Sequence, residues 1–401
     1  MRRNSVQTAH LESTMLKRIR MENGISRADL ARDLGLSGST AGVYVERLMD
    51  AGFLTESAKI STDAGRPPKL LQLNPNGGEF IGVDFEARNI LAVAINFADK
   101  PLRHARGQIE EGDSVNVIVG KIQQAVLEVS PRDPARLLAI GIGVPGIVDA
   151  TRGIAVRYEY IPQWKDVPLV ARLGRRFHVP IFLENTMRAM ALAELWFGQG
   201  RGCSDFASIC VRSGIGAGIV SGDRLHQGGH HSAGELGRWP CLAGSAESTI
   251  RHGQNCPELQ DIASARSIQK VLQESIAAGK RSSLRELGHP PSMEDILLAA
   301  QRKDPLTLQV IGQAANALGS VLGILALAVD PLKFVLAGQL IPLGEIFLKP
   351  LKDSVARTMG PSGLEIPEIV NSNLGEHIGA LGAAALALHE WKPQRDPAAA
   401  D

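Results

Sequence analysis

The chain has 401 residues, 44% hydrophobic and 21% charged, with a formal net charge of +1. That length buries a sizeable core in two or three domains, and the balance excludes a disordered or fibrous chain. Its four cysteines, Cys203, Cys210, Cys241 and Cys256, form no C-x-x-C pair, which argues against a disulfide framework and for free thiols in a reducing cytoplasm.

The amino-terminal stretch is polar and lacks the apolar run of a secretory signal. From Leu11 to about Asn23, Leu11, Met15, Leu16 and Ile19 recur at helical spacing before the stop Asn23–Gly24. Ser26 then caps a short second helix with Asp29 three residues on, and Leu30, Ala31 and Leu34 form its buried side. The turn Leu36–Thr40 opens a third helix to about Ala51, with Ala41, Tyr44, Val45 and Leu48 inward. Two short helices joined this way predict a helix-turn-helix, whose second helix enters a major groove.

Its outward positions are Ser37, Ser39, Thr40, Val43 and Arg47. Small hydroxyls approach phosphates and base edges, Val43 suits a thymine methyl, and Arg47 suits phosphate or guanine. Two predicted strands, Phe53–Thr55 and Lys69–Leu73, flank a G-R-P turn that makes a wing with Arg66 at its tip, suited to a minor groove. Residues 1–75 carry 11 Lys and Arg against 8 Asp and Glu, a mildly basic head on a mildly acidic body. Asn74–Gly78 reads as the linker.

Beyond it, Phe80–Phe85, Ile90–Ile95 and Leu137–Val144 predict strands, with helices over Val115–Val129 and Leu169–Phe177. Phe206–Val211 and Ala217–Val220 are strands around Ser213–Gly216 that again precede helices. This alternation is an α/β body. The charge-free window Pro305–Val329 is broken at helical intervals by Gln309, Gln313, Asn316 and Ser320, which reads as a core helix rather than a membrane span. The adjacent His230 and His231 diverge and read as loop residues.

The run V-R-S-G-I-G-A-G-I at Val211–Ile219, followed by G-G-H-H-S-A-G-E-L-G at Gly228–Gly237, resembles the signature of the ROK group of repressors, open reading frames and sugar kinases. Gly143–Gly146, the Trp164 segment, Glu184–Asn185, D-P-L-K-F-V-L-A-G at Asp330–Gly338 and Gly379–Ala385 add to it in order. The resemblance covers the whole chain and, with the head, is to the winged-helix repressors of the group. It implies an N-terminal winged helix-turn-helix (1–75) and a two-lobed actin-like, ribonuclease H-like sugar-kinase body. The first lobe would span 79–195 and the second 196–390, with the last helix returning to the first lobe and 391–401 a disordered tail. Members of the group often dimerise through the second lobe.

Departures from the kinase pattern are as informative. The D-x-G-x-T phosphate loop of the kinases reads Asp84–Arg88 here, where Glu86 repels phosphate. Their N-D pair is Asn185–Thr186, and a threonine hydroxyl is no base at neutral pH. The family's zinc histidine is replaced by Arg238. Of its cysteines only Cys256 survives, with Thr249 and Arg251 near the other positions, and Cys241 and His252 match no zinc spacing. No metal or cofactor is expected.

Gly146, Asn185, Glu235, Arg238 and Glu258 keep the donor and acceptor mix of a polyol site. Arg238 either selects a sugar phosphate or sugar acid or ties Glu235 structurally in place of zinc. The expected function is a cytoplasmic, dimeric repressor of carbohydrate genes, xylose metabolism among them, that reads operator DNA and answers a sugar, sugar phosphate or sugar acid. The alternatives are an active sugar kinase with a DNA-binding head and a ligand-independent DNA-binding protein.

Overall fold

The head begins on one long helix, α1 (Arg2–Glu22), followed by β1 (Ile25–Ser26), α2 (Arg27–Asp33), α3 (Gly38–Asp50), β2 (Leu54–Ala58) and β3 (Lys69–Leu73). This computed structural model describes residues 2–22, 24–58, 69–86, 88–158, 160–241 and 257–393. α1 starts well before Leu11 because residues 2–10 hold no glycine or proline to break it. Ser26 caps α2, its Oγ accepting from the Asp29 amide at 3.1 Å and donating to the Asp29 carboxylate at 2.6 Å. The strands pair antiparallel in the order β1-β3-β2. Met15, Leu16, Ile19, Leu30, Val45, Leu48, Leu54 and Leu71 are buried as the head's core. Tyr44, expected inward, is only half-buried and lies under Arg47 instead.

The chain divides into two compact units, Met1–Thr186 with Ala380–Asp401, and Met187–Gly379. In the first, β4 (Glu79–Glu86), β5 (Asn89–Asn96), β6 (Pro101–Gln108), α4 (Val115–Val129), β7 (Leu137–Val144), β8 (Ile147–Asp149), β9 (Ile154–Arg157), β10 (Lys165–Val167), α5 (Leu169–Gly174) and β11 (Ile181–Asn185) follow the head. The main sheet runs β11-β7-β4-β5-β6, parallel through β11, β7 and β4 and antiparallel beyond; β8, β9 and β10 form a small second sheet. β4 is buried along almost its whole length, as a central strand covered on both faces must be. Even Glu79 at its start is 3% exposed, and it is held by Arg103 and Arg136.

The second unit takes up α6 (Thr186–Phe197) from Met187 and continues with β12 (Phe206–Val211), β13 (Ile215–Ser221), β14 (Arg224–His226), α7 (Leu259–Ala263), α8 (Ala265–Ala277), α9 (Met293–Gln301), α10 (Pro305–Val329), β15 (Lys333–Gly338), α11 (Glu345–Met359) and β16 (Glu368–Asn371). Its sheet order is β14-β13-β12-β15-β16. β13 returns through a hairpin to β14 rather than leading straight into a helix, because Gly222 and Asp223 adopt positive φ and make a tight turn. α10 is the one helix among the described residues long and apolar enough to cross a membrane, yet 61% of its most apolar window is buried, as a core helix requires.

Finally α12 (Ile378–Glu390) carries the chain back to the first unit. Gly82 on β4 and Gly141 on β7 let its backbone lie directly on the sheet: a Cβ at Gly141 would sit 1.8 Å from the Ala383 carbonyl oxygen. Trp391, assigned by the sequence to a disordered tail, is 5% exposed. It is wedged edge-on against Phe53 of the head and against Phe80 and Phe97 of the body.

Candidate functional site

On the head, Ser37, Ser39, Thr40, Val43 and Arg47 are all exposed along one side of α3, with Val43 at 57%. Ser37 caps the helix, accepting from the Thr40 amide at 3.1 Å, and its hydroxyl also meets those of Ser39 (3.0 Å) and Thr40 (2.7 Å). The three hydroxyls thus form a linked polar cluster at the helix's positive end, suited to a phosphate. Arg47 extends over the Tyr44 ring, 5.6 Å from its centroid, which pre-orients the guanidinium. Arg66 falls outside the described residues.

The head is fastened to the first unit's sheet. Arg20 is 7% exposed, pairs with Asp99 at 2.9 Å and stacks on Phe97. Ser13 donates to the Trp391 carbonyl at 3.3 Å, and Lys17 lies 3.3 Å from His389 Nε2. Burial, with the Lys17 and Arg20 charges, pushes the His389 imidazole down to about 4. Sequence periodicity could not show this joint, because it uses the polar side of α1.

Also in the first unit, Asn185 donates through Nδ2 to the Gly146 carbonyl at 2.8 Å, and the Glu184 carboxylate accepts the Asn185 amide at 2.7 Å. Gly146 has φ of +79°, and a Cβ there would lie 2.2 Å from the Arg157 carbonyl oxygen, so the turn requires glycine. Beside it the buried Thr186 hydroxyl donates to Asp84 at 2.9 Å. Thr186 is thereby a proton donor to a carboxylate, the opposite of a base.

The second unit holds Glu235, Arg238 and Glu258. Arg238 Nε stands 3.8 Å from Glu235 Oε2. The segment carrying Glu258 pairs antiparallel with Pro240, which brings it beside the Arg238 turn. Glu258 Oε2 accepts from the Gln260 side-chain Nε2 at 2.6 Å. Burial raises the Glu235 carboxyl above its ordinary range, against the opposing pull of Arg238 and Arg188. Arg188, at 2% exposure, is a residue that sequence reasoning missed. Its signal was a lone cation in the apolar run T-M-R-A-M-A-L-A of α6.

The sequence profile of the ROK family matches residues 80–390. The chain belongs to the ROK family. A winged helix-turn-helix DNA-binding profile matches residues 15–55. Over 381 residues the chain is 27% identical to a putative xylose repressor of Caldicellulosiruptor sp. strain Rt8B.4, with 94% of each covered. A crystal structure of a ROK family transcriptional regulator, homologous to the Escherichia coli MLC protein, superposes with a TM-score of 0.80 at 26% identity, covering 95% of this chain and 96% of that one. A ROK family glucokinase from Streptomyces griseus, in complex with glucose and AMPPNP, superposes at 0.67 and 27% identity on 77% of this chain and 99% of its own.

The resemblance to other ROK proteins puts Arg238 where their zinc histidine stands, and there it is a cation 3.8 Å from Glu235. Thr249, Arg251, His252 and Cys256 lie outside the described residues.

Proposed function

We propose that this chain is a DNA-binding transcriptional repressor of carbohydrate genes, xylose genes among the candidates, whose kinase-like body senses a sugar or sugar derivative without phosphorylating it. The observation that carries this reading is the pairing of a winged helix-turn-helix, its exposed α3 side formed by Ser37, Ser39, Thr40, Val43 and Arg47, with a ROK body whose Thr186 donates to Asp84. Losing a general base costs roughly 10²- to 10⁴-fold, and Glu86 at the phosphate turn removes more. The active-kinase reading draws on the likeness to glucokinase; incubation with Mg-ATP and a hexose and pentose panel tests it, and turnover would establish it. The same reading places the protein in the cytoplasm, without a metal or cofactor.

Operator reading by two heads calls for a homodimer on a roughly palindromic site. Supporting it, the second unit exposes Ile324, Leu327 and Val329 at the end of α10, with Leu332 just beyond. An effector that binds one arrangement of the chain better than another would shift the heads and release the DNA. The polyol groups assigned to it are Gly146 and Asn185 in the first unit and Glu235, Arg238 and Glu258 in the second. The deciding experiment is binding of the full chain to the promoter beside its own gene, titrated with salt and repeated with candidate sugars. Sequence-preferring binding with a steep salt slope, relieved by a sugar, supports the reading, and absence of specific binding at any moderate salt overturns it.

A further inference from the structure

Arg27, the first residue of α2, spreads its guanidinium across two other elements of the head. Nε donates to the Glu56 carboxylate on β2 at 2.5 Å, and Nη1 donates to the Glu46 carboxylate on α3 at 2.6 Å. Nη2 lies 3.3 Å from the Met49 sulfur, about a turn further along α3. Glu56 in turn takes Lys69 Nζ of β3 at 3.2 Å, so the network reaches both strands of the hairpin. A planar fork with fixed donor directions sets the mutual orientation of its partners, which a single ammonium cannot do.

Folding alone does not call for this network. Arg27 and Glu46 are 36% and 58% exposed, and exposed ion pairs contribute little to stability. The core beneath the same elements already closes through Leu30, Val45, Leu48, Leu54 and Leu71. Apolar packing is non-directional, so it leaves the angle between α3 and the hairpin the least determined feature of the head. That angle matters where both elements meet one duplex: α3 presents Ser39, Val43 and Arg47, and β2 and β3 pair as the hairpin that the sequence reads as a wing. The bond to Glu46 also offsets a carboxylate on the helix that faces phosphates.

We infer that Arg27 is a positioning residue for DNA reading: it fixes the recognition helix α3 against the β2–β3 hairpin through Glu46 and Glu56, without touching DNA itself. The inference rests on the DNA-binding reading proposed above.

Anisotropy titrations of the full chain test it with two probes, the promoter fragment beside its own gene and a scrambled duplex of equal length and composition, across a salt series. The ratio of the two affinities is the readout. Arg27→Lys keeps the charge but loses the fork, and should lower that ratio about tenfold with scrambled-DNA affinity and salt slope unchanged. Glu56→Ala should lower it too, and the double variant with Arg27→Ala should fall no further than Arg27→Ala alone, because the two act through one contact. The Tm of each variant should stay within a few degrees of wild type. Where Arg27→Ala fails to fold, Arg27→Lys and Glu56→Ala carry the decision. An undiminished ratio in either of those two overturns the inference. Arg27→Ala lowering both affinities alike, with a salt slope smaller by about one unit, marks a direct phosphate contact and also overturns it. Additive losses in the double variant with a collapsed Tm would make the network a fold support only, and overturn it as well. If the wild type itself shows no preference between the probes, the DNA-binding reading fails and the inference with it, whereas a preference lost only in the variants leaves that reading standing.

Discussion

Replacing Trp391 by alanine should loosen the DNA-binding head from the body without unfolding either. The indole is 5% exposed and makes edge contacts with Phe53, Phe80 and Phe97 at centroid distances of 5.1, 5.7 and 5.8 Å. Truncating a buried tryptophan costs about 3–5 kcal/mol, which includes the cavity left among the three rings. Because the chain has several cooperative parts, the loss should be local, read as opening of α1 and of the segment around Phe53 rather than as a single global value. Native-state hydrogen exchange is the assay: about 3 kcal/mol corresponds to opening roughly 150-fold more frequent. Protection in β4 and β7 should fall less, since Gly82 and Gly141 still seat α12. Trp391→Phe, which keeps an aromatic ring, should lose about a third as much. An alanine variant whose α1 amides exchange within tenfold of wild type would refute the reasoning, because the wedge would then carry little of the joint.

Ser37→Ala removes the α3 cap and should destabilise the head by about 1 kcal/mol, whereas Ser39→Ala, which caps nothing, should leave thermal stability within about 0.5 kcal/mol; differential melting of the two variants checks it. Arg47→Ala should weaken operator binding and lower the salt slope by about one unit if the guanidinium meets phosphate, measured by anisotropy across a salt series. Thr186→Asp would set a second carboxylate at the place of a hydroxyl 2.9 Å from Asp84, so one of the pair should keep its proton and the variant should lose about 1–3 kcal/mol more at pH 8 than at pH 5, with no phosphoryl transfer gained. Melts showing the same deficit at both pH values would dismiss the coupled pair. His389 has a folded pKa of about 4, below its unfolded value of about 6.5, so the unfolded chain binds the extra proton between them. Its contribution is therefore whole above pH 6.5 and fades as pH falls toward 4. His389→Gln should flatten the stability profile over that window by roughly 1 kcal/mol after discounting for its partial exposure, measured by urea titration at each pH.

The head and five strands, β4, β5, β7, β12 and β13, were legible because their signals are local, whereas β6, β11, β14, β15 and β16 were not read as strands. Ser26 and Ser37 stand just before apolar helical spacing, and Phe206–Val211 is an unbroken apolar strand between turn residues. α4 runs from Val115 to Val129 as its Ser114 cap and periodicity imply. What stayed hidden depends on partners distant in sequence. Trp391 follows a helix and precedes a polar tail, so by itself it reads as an end; only the rings of Phe53, Phe80 and Phe97 make it core. The polar side of α1 looked solvated because Ser13 and Arg20 find their partners at Trp391 and Asp99. In the site, Thr186 was read as standing where the kinases carry aspartate, but its donation to Asp84 was not legible, since 102 residues separate the two. Arg188 was overlooked because a single arginine in an apolar helix has no spacing to mark it.

The joint between head and body has a consequence for the order in which the protein matures. The contact from Ser13 to Trp391 spans 378 residues, so a segment of the head is fastened by a segment made much later in synthesis. The head's small core is complete by Leu73, and it is free to fold early, but its seat exists only after α12 has laid its backbone along Gly82 and Gly141. Chains cut short before residue 391 would carry a folded reading head with no fixed bearing. The fixed seat of the head thus depends on α12 having been made.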